Sequence, residues 1–247
     1  MEIAGLVVVL AAGWLMFVFS VLARRKRFQI PLRSIQVFHR LQRSIGLAVE
    51  DGRRIHVSLG NSRLTSDTNA SAWLGLSTLE RLAQMSMASD LPPLATSGAG
   101  ALSLLTQDTL RAICRRGNAL GQFSPSSGRL AGVTPFSYMA GTLPMIRDER
   151  ISTHVMVGNY GSEVALLCEA AEQENAFVLA ASDDLAAQAV IYGIVQESLI
   201  GEELFAIPAY LQAGTMHCAS VRTQDFLRWI VIVVLVLSAL LSYFGLT

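Results

Sequence analysis

Residues 153–184 read THVMVGNYGSEVALLCEAAEQENAFVLAASDD, and this stretch decides the fold. Thr153 to Val157 is a short apolar run that reads as a buried strand. Gly158-Asn159-Tyr160-Gly161 turns the chain, and Ser162 to Gln173 repeats apolar residues at helical spacing. Ala176 to Ala181 (AFVLAA) is a second strand, after which Ser182-Asp183-Asp184 caps a helix from Leu185 to Tyr192. Two apolar strands joined through a helix make a βαβ unit, which implies a parallel sheet covered on both faces.

The same alternation extends outward in both directions. Upstream, Arg54 to Leu59 (RIHVSL) predicts a strand and Gly60 to Thr68 a polar loop. Ala70 to Ala88 predicts a helix carrying Trp73, Leu74, Leu76, Leu79, Leu82 and Ala83, stopped by Pro92 and Pro93. Leu94 to Ser97 is a strand, and Gly98-Ala99-Gly100 opens a helix from Ala101 to Arg116. A loop over Gly117 to Gly128 leads to a short strand, Leu130 to Val133, and a helix from Thr134 to Met145. Downstream come a strand at Ser198 to Ile200 and a helix from Glu202 to Leu211. The fold class expected for residues 51–221 is therefore α/β, a Rossmann-like, mainly parallel sheet flanked by helices. Ile35, Phe38, Leu41, Ile45 and Ala48 recur at helical spacing ahead of it, with Pro31 suited to a first turn.

The two ends differ in kind. The chain is 52% hydrophobic, and the excess is concentrated there. Ile3 to Ala23 has no charged residue, enough for roughly 30 Å of helix. Trp229 to Thr247 is equally uncharged. One transmembrane helix is thus expected at each end, over 3–23 and 229–246. Arg24-Arg25-Lys26-Arg27 and Arg33 follow the first span, and Arg222 and Arg228 precede the second. Basic flanks stay inside, so both termini should lie outside and the α/β domain in the cytoplasm. A cleaved signal peptide needs its positive charge before the apolar run, and here the charge comes after.

Composition excludes several classes. The formal net charge is zero, and the single dense basic run lies beside the first span, where anionic lipid is its expected partner. Nucleic-acid binding is not expected. Cys114, Cys168 and Cys218 form no CxxC pair, which argues against a disulfide framework, and Cys168 falls on an apolar helix face. His39, His56, His154 and His217 are too scattered for a metal site. No GxSxG elbow, GxxxxGK[ST] loop or complete dinucleotide fingerprint occurs, so neither a catalytic residue nor a cofactor is assigned.

In an open parallel sheet, ligands bind beyond the carboxyl ends of the strands. The turns expected there supply the candidate ligand-binding residues: Gly60 and Asn61; Ser97, Gly98 and Gly100; Gly158, Asn159, Gly161 and Ser162; Ser182 and Asp183. Free N–H groups at the following helices would suit a phosphate-bearing anion. Ordinary capped turns carry the same residue types, however. Glu163, Glu202 and Glu203 admit an acid–base reading, but first-turn acids also stabilise helix dipoles.

Leu76 to Gly98, Val157 to Ala171, Leu199 to Leu211 (LIGEELFAIPAYL) and Arg222 to Trp229 (RTQDFLRW) resemble an uncharacterised family of bacterial two-anchor membrane proteins, a domain of unknown function. The resemblance implies the bacterial inner membrane and brings no activity. The function expected is a membrane-tethered scaffold or regulatory module of a membrane assembly, with other membrane proteins or further copies of itself as partners. The alternative is a ligand-sensing or enzymatic domain binding a small phosphate-bearing molecule at the glycine turns.

Overall fold

The computed structural model describes residues 2–24, 35–66 and 69–243. The basic run after Arg24, Pro31 and Arg33 lie outside them. The chain divides into two compact units, Arg33–Ala213 and a second formed by Met1–Leu32 with Gly214–Thr247.

The larger unit contains a six-stranded, wholly parallel sheet in the order β3-β2-β1-β4-β5-β6. The strands are β1 (Arg54–Gly60), β2 (Leu94–Ser97), β3 (Gly128–Leu130), β4 (Ile151–Asn159), β5 (Phe177–Ser182) and β6 (Glu197–Leu199). This is the doubly wound order, and its reversal point falls between β1 and β4. On one face α2 (Gln36–Glu50), α3 (Asn69–Met85), α4 (Gly100–Arg116) and α8 (Glu203–Tyr210) close over Val57, Val155 and Leu179. On the other, α5 (Pro135–Asp148), α6 (Val164–Gln173) and α7 (Leu185–Ile194) close over Met156 and Ala180. The amphipathic face expected before β1 is buried in α2 as Phe38, Leu41, Ile45 and Ala48, with Phe38 stacked 4.6 Å from Tyr210.

Local chemistry sets several boundaries. Thr134 and Ser137 form a reciprocal capping box that starts α5, with Pro135 in its first turn. Asp184 accepts from the Ala187 N–H at 3.0 Å and starts α7. Two expectations need correction. The strand expected over Leu130 to Val133 is Gly128–Leu130, because the rungs to Ala95, Thr96 and Ser97 are made by those three residues. Gly158 and Asn159 are not a turn but the last residues of β4, paired with Ser182 and Gly60.

The smaller unit is made of α1 (Glu2–Arg24) and α9 (Thr215–Tyr243), which pack on one another. Phe19 meets Phe226 edge-on at 6.3 Å, and the Ser20 hydroxyl reaches Met216 Sδ at 2.9 Å. Among the described residues one helix, Met216–Tyr243, is long and apolar enough to cross a membrane. The expectation of such a helix at each end is therefore met at the carboxyl end. In α1 the stretch Val9–Leu22 is a shorter apolar helix among the described residues.

Candidate functional site

The doubly wound order brings the predicted turns to one edge of the sheet, and hydrogen bonds join them. The Gly98 N–H donates to the Gly60 carbonyl at 2.8 Å, and the Asn61 N–H to the Asn159 carbonyl at 2.9 Å. The Asn159 side-chain amide donates to Asp183 Oδ1 at 2.7 Å, while its backbone N–H reaches Ser62 Oγ at 2.8 Å. The Tyr160 N–H donates to Ser182 Oγ at 3.2 Å. The crevice at the reversal point is thus crossed by its own backbone.

The glycines fit this stitching. Gly60 has φ +61°, and a Cβ there would strike the Asn159 carbonyl. A Cβ on Gly158 would strike the Leu59 carbonyl, and one on Gly98 the Asn61 side chain. The Asn61 amide is packed so closely that its Oδ1 and Nδ2 are buried without a hydrogen-bond partner. Gly161 donates its N–H to Glu163 Oε1 at 2.9 Å, so that carboxylate serves its own turn. Gly100 and Ser162 are exposed, and Gly100 begins α4 with no side-chain cap.

Beneath the crevice runs a polar chain that sequence reading missed. Tyr138, projecting from α5, reaches Ser58 Oγ at 2.6 Å and Thr96 Oγ1 at 2.8 Å, and accepts the Gly60 N–H at 3.3 Å. Tyr160 donates to the Ser58 carbonyl at 2.7 Å. His56 Nε2 lies 3.0 Å from Thr96 Oγ1, and the His56 ring sits 4.5 Å from that of His154. All seven residues are buried. Burial, then the His154 ring, holds His56 well below its usual pKa, and burial takes His154 down to about 3. Burial raises both tyrosines, so every member is neutral at ordinary pH. The chain joins α5 to three strands, and its burial suits it to holding the fold rather than to meeting a substrate. Alternating polar residues in RIHVSL were its one sequence signal. Among the described residues no group of histidine, cysteine and carboxylate side chains could hold a metal ion.

A second concavity lies at the opposite, amino edge of the sheet. It is an open cleft of about 710 Å³ between α2, the α6–β5 turn and the start of β6. None of the predicted ligand-binding residues lines it.

No curated protein and no solved structure matches the chain. A family model described as a domain of unknown function (DUF6754) matches residues 1–247. The chain belongs to that family.

Proposed function

We propose that this protein is a membrane-tethered α/β module that scaffolds or regulates a membrane assembly. One observation carries the reading. Every residue from Arg228 to Tyr243 is exposed in α9, and Trp229 to Tyr243 contains no charge. A helix apolar on all sides is unfavourable in water and stable in lipid. In this reading α1, uncharged from Ile3 to Ala23, is the other span, the domain is cytoplasmic and the membrane is a bacterial inner membrane. An uncharged, outward-facing surface on α7 supports docking: Leu185 is 80% and Tyr192 74% exposed.

The test is fractionation followed by protease treatment of inside-out and right-side-out vesicles. The module should stay in the membrane after an alkaline wash, and its domain should be cut from the cytoplasmic side alone. Release into the wash would refute the tether, and cutting from the outer side would refute the topology. Replacing Ala12, Gly13, Ser238 and Ala239 by Leu should change the size of the native assembly, because small residues let spanning helices approach closely. An unaltered size would remove the assembly role of those helices.

A second reading has the glycine turns hold a small phosphate-bearing ligand. It is favoured by the unpartnered Asn61 amide beside the uncapped start of α4. A nucleotide titration without heat would count against it.

A further inference from the structure

The cleft at the amino edge has the volume of a small-molecule site, about 710 Å³, and charges of both signs line it. Arg40 and Arg43 stand one turn apart on α2, and Arg53 begins the approach to β1. Glu197 on β6 and Glu172 in the last turn of α6 lie on the other side, with Asp51 at the end of α2. Arg40 and Glu197 neutralise each other in an ion pair. Arg53 gives one N–H to the Ile151 carbonyl at 3.2 Å, which fixes the guanidinium and leaves its other donors unassigned. Arg43 and Glu172 have no ion-pair partner among the described residues. The hydroxyl of Ser152, also in the lining, is buried without a hydrogen-bond partner.

The groups left over are thus two guanidinium forks and a hydroxyl, with the carboxylates of Asp51 beside the arginines at the end of α2 and of Glu172 on α6. Forks of this kind recognise phosphate oxygens, and a carboxylate across the cleft recognises an ammonium. We propose that the cleft binds a small zwitterion, a phosphate joined through a short linker to a primary ammonium. Arg43, Arg53 and Ser152 take the phosphate, and Glu172 takes the ammonium. Phosphoethanolamine has this chemistry, whether free or as the headgroup of a lipid. The free form requires no membrane, so the proposal stands apart from the tethering reading.

The test titrates free phosphoethanolamine, inorganic phosphate and ethanolamine into the full chain in bilayer discs of phosphatidylcholine and phosphatidylglycerol, followed by calorimetry. Saturable binding of phosphoethanolamine is expected, at least tenfold tighter than either half alone. Arg43→Gln should weaken it tenfold or more. Glu172→Gln should weaken phosphoethanolamine while leaving phosphate unchanged, a pattern that loss of structure would not give. Adding phosphatidylethanolamine to the discs separates the sources: competition identifies the lipid headgroup as ligand, and unchanged affinity identifies the soluble compound. Absence of saturable binding, phosphate binding as tightly as phosphoethanolamine, or indifference to both substitutions would each overturn the proposal.

Discussion

His56 and His154 are register partners on β1 and β4, their rings 4.5 Å apart and wholly buried. Burial depresses both, His154 to about 3, whereas in the unfolded chain each protonates near the ordinary imidazole value of 6.5. The unfolded state therefore binds more protons below that value. The stability tied to the pair is fully present above about pH 6.5 and is lost as pH falls from there toward about 3. Each buried imidazole adds a slope approaching about 1.4 kcal/mol per pH unit in that window. His154→Leu should flatten the pH dependence of the urea midpoint measured on the full chain in detergent. Equal slopes for the two proteins would refute the assignment.

The tyrosine hydroxyls share one partner, Ser58 Oγ, at 2.6 Å from Tyr138 and 2.8 Å from Tyr160. Tyr138→Phe strips partners from Ser58, Thr96 and the Gly60 N–H, and should cost about 1–3 kcal/mol in chemical denaturation. Combined with Tyr160→Phe, the loss should differ from the sum of the two single losses, because both act on the same hydroxyl. Strict additivity would mean the chain does not act as a unit.

Two glycines should respond with opposite sign. Gly158→Ala drives a methyl group into the Leu59 carbonyl between the central strands, and should destabilise by about 1–3 kcal/mol. Gly46 lies exposed within α2 with nothing near its Cβ direction, so Gly46→Ala should stabilise by about 0.5–1 kcal/mol. Thermal midpoints moving the same way for both would contradict this geometry.

Cys168 is fully buried on α6, and burial, aided by Glu172, pushes its thiol from 9.0 up to about 12. That shift lowers the thiolate fraction on the order of a thousandfold. Iodoacetamide at neutral pH should therefore leave Cys168 unmodified in the folded chain and label it in urea, as peptide mapping would reveal. Labelling at the unfolded rate under native conditions would show that α6 does not close over the sheet as described.

The sheet was legible in the sequence wherever strands are apolar and bounded by punctuation. Leu94 to Ser97, between two prolines and a glycine, was read with its observed limits. Strand ends were harder, since Gly158 and Asn159 have turn chemistry and are held in β4 by neighbours distant in sequence. At the carboxyl end of the chain, Arg222, Asp225 and Arg228 interrupt the apolar run without interrupting the helix, so α9 begins at Thr215. The convergence of the glycine turns followed from strand order alone. The imidazole pair and the arginine-lined cleft did not, because both depend on register and on residues far apart in the sequence.

The sheet ends in strands of three residues on each side, β3 and β6. A protein confined to a bilayer meets its neighbours at far higher local concentration than one free in solution. Long open edges there would template strand-to-strand fusion between copies. Edges this brief offer an incoming strand only a few rungs, so in the proposed membrane setting crowding in two dimensions would not turn into fibrous growth. Under the proposed scaffold role, association would be left to helix faces, where side chains can choose the partner.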